Sequence, residues 1–298
     1  MKAGVCLFLE SFSFDEGEIV LIQQLSQLKK LMTRMNSEFI KFCKSSEYDN
    51  KLATKLYSPS SDIGWLMGQF YDMGKIDIFP FNCGQLLDII NNDAQTYDSR
   101  ILCMYNSSNN PIITESREVT ILCEEELVLI CCEILNTYPR DYIEYGDSIR
   151  DIFKNIIFLE NDEHPKFKTF NSMDKIKGGF ENFIKGITEF LLFINNYEVI
   201  PQDSLVNIKR MAASLKYELC EEGGKKSERK KGELNRDFKI DRIIYENINC
   251  EFHYKLSYKD GQFRTGTFYN DNRIYFGFFN KIDGLSPKIS IAHIGEHL

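Results

Sequence analysis

Cys250-Glu251-Phe252-His253-Tyr254-Lys255-Leu256-Ser257 alternates apolar and polar side chains without a break. Successive residues of a strand point to opposite faces, so Cys250, Phe252, Tyr254 and Leu256 take one side and Glu251, His253, Lys255 and Ser257 the other. The same parity turns Ile274, Phe276 and Phe278 toward a core and Arg273 and Tyr275 away from it. Turn signals punctuate the region at Asp260-Gly261, at Asn270-Asp271-Asn272, and at Asp283-Gly284 with Pro287 behind it. The pattern predicts a small antiparallel meander with strands near 237–245, 249–258, 262–269, 273–279 and 288–293.

Upstream of this region the period changes. Ala3–Leu9 reads as a strand, and Asp15-x-x-Glu18 has the spacing of a capping box. A helix from about Glu16 to Cys43 is expected next, because Leu21, Leu25, Leu28, Met32, Met35, Phe39 and Phe42 step by four and three. Ile19, Val20 and Ile22 broaden that stripe, which favours a core helix over a coiled-coil or partner-docking seam. Short helical pieces are expected over Ile63–Phe70 and Gln85–Ile90, strands over Arg100–Tyr105 and Val119–Cys123, and a helix over Glu124–Asn136. Glu124, Glu125 and Glu126 in its first turn complement the helix dipole more simply than they make a metal site. A helical hairpin closes this part, Asp174–Asn195 followed by Asp203–Leu219.

The segment from Glu221 to Gly232 contains no apolar residue and reads as a flexible linker. The expected fold class is therefore α+β, in three parts. Residues 1–222 form an acidic α/β or α+β domain ending in the helical hairpin, 223–236 a basic flexible linker, and 237–298 an antiparallel β domain. A length of 298 residues, 43% hydrophobic and 13% aromatic, suits two packed cores and argues against disorder. Nine cysteines without a Cys-x-x-Cys pair suggest neither a zinc ribbon nor a disulfide framework, and read as small buried hydrophobes. No signal segment or long apolar run is evident, which predicts a cytoplasmic protein that does not enter a membrane.

Net charge is −12 for residues 1–222, +4 for 223–236 and zero for 237–298. An acidic body repels a phosphate backbone, so a nucleic-acid partner is expected at the linker and the C-terminal part. Lys225, Lys226, Arg229, Lys230 and Lys231 are the candidate contacts, with a merely solvated charge run as the plainer reading. A protein partner or a second copy of the chain would meet the N-terminal domain.

Three of the four histidines, His253, His293 and His297, lie beyond residue 250. With Glu251, Lys255, Arg273 and Tyr275 they supply what phosphodiester cleavage requires: groups that move protons near neutrality, and fixed cations for developing negative charge. The polar side of a half-buried sheet also needs no function at all. His293 shares the parity of Ile289 and Ile291, so a role at the site needs a bulge or strand end before it. Zinc on the three histidines lacks a local motif, and no metal or cofactor is expected. No glycine-rich phosphate loop or kinase signature is present, which disfavours a P-loop enzyme, a kinase and a Rossmann dehydrogenase.

Glu251-x-His253-x-Lys255, Arg273-Ile274-Tyr275-Phe276 and Lys288-Ile289-Ser290-Ile291-Ala292-His293 together resemble the strand core of RelE/HigB-type bacterial messenger-RNA interferase toxins. The resemblance covers about residues 237–298. It implies metal-independent RNA cleavage, with Arg273 and Lys255 stabilising the phosphate and His253, Tyr275 or His293 handling protons. The basic helical hairpin that precedes the sheet in those toxins is not evident here. The whole chain, with its acidic front and its ending His293-Ile294-Gly295-Glu296-His297-Leu298, looks like uncharacterised proteins of bacterial anti-phage or mobile-element loci. That likeness implies an antiviral defence or toxin component, either a nuclease or a non-catalytic subunit of a protein complex.

Overall fold

The computed structural model describes residues 1–56, 68–69, 75–107, 120–138, 140–160, 169–176, 179–201, 203–221, 234–240, 242–256, 272–279 and 286–298. Contacts divide the chain into two units, Met1–Ile134 and Leu135–Leu298.

The first unit runs β1 (Lys2–Leu7), α1 (Glu18–Met35), β2 (Ile40–Ser45), α2 (Tyr48–Leu56), β3 (Asp77–Phe79), α3 (Cys83–Ile90), β4 (Thr96–Tyr97), β5 (Arg100–Tyr105) and β6 (Thr120–Ile121), and then enters α4 (Glu124–Thr137). Its sheet has the order β3-β2-β1-β5, all parallel. β6 extends it in parallel beside the end of β5, and β4 pairs antiparallel with the start of β5. The chain winds outward in both directions from β1, the arrangement of doubly wound sheets. Such strands are covered on both faces, which is why Ala3–Leu7 is buried throughout.

Doubly wound sheets carry ligands in the crevice beyond the strand ends where the order reverses, here after β1 and β5. Aromatic residues stand at both of these strand ends. Phe8, Phe12 and Tyr105 are buried, with the Phe12 and Tyr105 rings 6.5 Å apart. Ser107 Oγ donates to the Ser11 carbonyl.

The α1 stripe is core, as its breadth implied: Leu21, Leu25, Leu28, Met32 and Met35 are buried within this unit. The helix stops at Met35 and not at Cys43. Asn36 turns extended and Phe42 belongs to β2, whose burial follows a parallel strand. The four-and-three spacing of Phe39 and Phe42 thus continued a helical pattern across a break made by Asn36-Ser37, where Ser37 Oγ accepts from the Ile40 amide. Asp15-x-x-Glu18 forms no box, since Gly17, at φ 102°, is the N-cap and no side chain caps the helix. A reciprocal capping box forms instead at Asn82 and Gln85, starting α3.

In the second unit the strands are β7 (Ile156–Phe158), β8 (Leu219–Glu221), β9 (Asn235–Ile240), β10 (Ile243–Asn249), β11 (Phe252–Leu256), β12 (Asn272–Phe279) and β13 (Lys288–Gly295), with helices α5 (Tyr142–Ile152), α6 (Ile184–Asn195) and α7 (Ser204–Ala212). A five-stranded sheet has the order β7-β13-β12-β11-β8. It is antiparallel from β8 to β13, and β7 lies parallel to β13. β9 and β10 form a separate hairpin over Phe238, Cys250, Phe279 and Ala292. α6 packs on the sheet: Phe190 stacks on Tyr254 at 4.5 Å and 12°, and Gly186 lies against Leu256.

The architecture is mixed α+β with antiparallel C-terminal strands. The strands after 237 do not stand alone, because β7 and β8, both before the linker, belong to their sheet. The division by contacts therefore falls inside α4, whereas periodicity placed it at 223–236. Strand pairing between distant segments leaves no trace in local periodicity. Most of that linker, residues 223–233, lies outside the described residues, as do the strand expected over 262–269, the turns at Asp260-Gly261 and Asp283-Gly284, and most of the piece over 63–70. The helix expected from Asp174 begins only at Ile184, since Gly179 takes φ 71°. The helix expected to reach Leu219 ends at Ala212, and Leu219 starts β8.

Gly277 in β12 is a point of close approach. A Cβ there would press on the Asn249 carbonyl oxygen and lie 3.2 Å from Cys250 Sγ. Backbone cannot give way cheaply, so Gly277→Ala should destabilise the second unit by about 1–3 kcal/mol, read as a lower melting temperature in scanning fluorimetry.

Candidate functional site

Strand register assembles the site. Cys220 on β8 lies opposite His253 on β11, His253 opposite Tyr275 on β12, and Tyr275 opposite His293 on β13. Directly opposite residues share a face, so these four make one row across the sheet. Lys255 opposite Arg273 begins the next row. His293 reaches its row through an irregularity: Phe276 pairs with Ile291 but Tyr275 with His293, leaving Ala292 as the extra residue of a bulge. The bulge that a site role for His293 demanded is present.

The expectation that this face is wet is corrected. His253 is 2% exposed, Tyr275 0% and His293 1%. Parity put His253, Lys255, Arg273 and Tyr275 on one face correctly, Glu251 excepted, but it cannot reveal that residues 172 and 296–298 cover this face. Ser172 Oγ lies 3.3 Å from His293 Nε2 and accepts from the Glu296 amide at 3.0 Å. His293 Nε2 stands 3.1 Å from the Glu296 carbonyl, which can only accept, so that nitrogen carries the proton. The Leu298 amide donates to Tyr275 Oη at 3.3 Å. Burial, with the charge of Arg236 as a lesser cause, pulls the His293 imidazole down to about 4, against the raising effect of the Glu296 carbonyl. His293 is therefore a neutral hydrogen-bond donor near pH 7. His297 is exposed, its ring 6.5 Å from that of Tyr275.

The other end of the row opens toward partly exposed groups. His253 Nε2 lies 3.3 Å from Arg273 Nη1 and 3.1 Å from Cys220 Sγ. A guanidinium only donates, so Nε2 is an acceptor toward Arg273, and the Cys220 sulfur lies within reach of the same nitrogen. Lys255 Nζ pairs with Glu218 at 2.9 Å. Burial alone would lower the Lys255 ammonium, but Glu218 and Cys220 raise it above its ordinary value, and Lys255 in turn lowers the Glu218 carboxyl. Burial, with the Glu218 carboxylate adding to it, holds the Cys220 thiol above its ordinary value, and Lys255 and Arg273 oppose this only in part.

Glu251 stands apart. It precedes β11 and lines a cavity of about 500 Å³ with Glu221, Asn249, Phe252 and Phe278, none of them in the histidine row. Lys225, Lys226, Arg229, Lys230 and Lys231 lie outside the described residues. Among the described residues no group of three His, Cys, Asp or Glu side chains could hold a metal ion. The reason for the histidines is geometric: β11 and β13 flank β12, and two strand spacings put His253 roughly 10 Å from His293.

Cys220, Glu218 and Ser172 were not singled out from sequence. Glu218 and Cys220 sit where a helix was expected to end, and the strand that carries Cys220 is only three residues long, too short for alternation to register. Among the described residues no helix is long and apolar enough to cross a membrane. No protein-family model, curated protein or solved structure matches the chain.

Proposed function

We propose that this chain is a cytoplasmic component of a bacterial defence or toxin system that acts on nucleic acid through its second unit. Arg273 and Lys255 hold a phosphate, and His253 handles the proton. The observation that carries this reading is the convergence of the two cations and a lone-pair-bearing imidazole on adjacent strands, with Arg273 Nη1 3.3 Å from His253 Nε2. Fixed cations beside a proton-transfer group are what phosphodiester cleavage demands. Nine free cysteines fit a reducing compartment.

The roles implied by the resemblance narrow accordingly. His293 and Tyr275 are engaged with residues 296–298, which makes them positioning groups for the covering segment, while His253 faces the partly exposed cluster. Expression of the intact chain should arrest bacterial growth, and His253→Ala should restore it at equal protein level with an unchanged circular dichroism spectrum. Equal arrest by the folded variant would contradict the assignment.

The low exposure of His253, Tyr275 and His293 favours a second reading, a non-catalytic subunit in which the row is structural. That subunit would not dock through Leu25, Leu28 and Met32, which are core.

A further inference from the structure

Seven of the nine cysteines are buried, and the other two, Cys123 and Cys220, are partly exposed. Their surroundings differ in chemistry. Cys123 sits with the carboxylates of Glu125 and Glu126, which disfavour a thiolate. Cys220 lies on β8, the edge strand of its sheet, with His253 Nε2 at 3.1 Å and, against the one carboxylate of Glu218, the two cations Lys255 and Arg273 close by. Nε2, an acceptor toward Arg273, stands 3.1 Å from the sulfur, so the thiol has a base within reach.

From this geometry we infer that Cys220 is a nucleophilic thiol served by His253, and that the second unit forms a covalent sulfur adduct with small electrophiles carrying a negative charge. A thiol beside a positioned base need not ionise beforehand, since the proton passes to the base as sulfur attacks. Arg273 and Lys255 against the single carboxylate of Glu218 leave the cluster net positive, and that selects the charge of the electrophile. With iodoacetate, the Cys220 proton moves to His253 Nε2, a sulfur–carbon bond forms, the carbon–iodine bond breaks, and iodide leaves with the electron pair. The product is a carboxymethyl thioether, with no change in oxidation state of any other group and no further reactant. The inference concerns the same cluster as the proposed function but needs no nucleic acid.

The test is iodoacetate labelling of the full-length native chain at neutral pH, followed by peptide mass mapping over time, with iodoacetamide as the uncharged control. Cys220 should be labelled before the other eight cysteines, and His253→Gln should slow it by about 10²-fold. Its preference for iodoacetate over iodoacetamide should exceed that of glutathione severalfold and fall in Lys255→Met. Labelling of Cys123 ahead of Cys220 would overturn the inference, as would an unchanged rate in folded His253→Gln. If His253→Gln does not fold, an unaltered charge preference in Lys255→Met overturns it instead. A chain that cleaves RNA but leaves Cys220 unlabelled contradicts only the thiol assignment. A labelled chain that cleaves nothing contradicts only the nucleic-acid reading.

Discussion

Replacing Arg273 with alanine should cut nucleic-acid cleavage by about 10²–10³-fold while leaving the fold in place. Arg273 is on β12, opposite Lys255 and 3.3 Å from His253 Nε2, so its guanidinium is the fixed charge nearest the group assigned to move a proton. Such a charge matters most where negative charge grows in the transition state, and it is not replaced by mobile water. Arg273 is only half-buried, and truncation of a side chain at such a position costs about 1 kcal/mol of stability. Arg273→Lys keeps the charge but loses the planar fork, so it should recover part of the activity. Initial rates on end-labelled substrate, with melting curves alongside, check all three statements. Full activity in Arg273→Ala would remove the guanidinium from the mechanism.

The second large effect is acid instability of the second unit. His293 ordinarily titrates near 6.5 and is drawn to about 4 by burial. Above about pH 6.5 the imidazole is neutral both folded and unfolded, and its contribution to stability is fully present. As pH falls through 6.5 the unfolded chain takes up the proton first, so unfolding gains. The loss is complete near pH 4, at roughly 3 kcal/mol. His293→Gln keeps an N–H for the Glu296 carbonyl but cannot titrate. Denaturant midpoints at pH 7.5 and pH 4.5 should therefore differ less for His293→Gln than for the parent chain. Equal pH sensitivity would show that other groups set the acid limit.

What the sequence disclosed, and what it withheld, follows from the range of the forces involved. Alternation in 250–257 and 273–279 is local, so it sorted Tyr254 and Ile274 from His253 and Arg273 correctly. Whether a face is wet depends on which distant segment covers it, and nothing near His253 or Tyr275 announces Ser172 or Leu298. The bulge at Ala292 could be posed as a condition because parity alone made His293 anomalous. Segment 36–42 misled because Phe39 and Phe42 happen to continue a helical spacing after Asn36 has ended the helix. An α/β arrangement was among the readings of residues 1–222, but the doubly wound order was not legible, because its usual herald, a glycine-rich turn after β1, is absent and the buried Phe8, Leu9 and Phe12 stand there instead. Cys220 escaped notice because β8 is three residues long and its neighbour His253 is thirty-three positions away.

The most direct test of the central claim is incubation of the purified full-length chain with end-labelled single-stranded RNA and DNA, with a chelator present throughout. Cleavage of nucleic acid that survives the chelator and is lost in Arg273→Ala and His253→Ala is the expected result. Intact RNA and DNA after prolonged incubation with folded protein would contradict it.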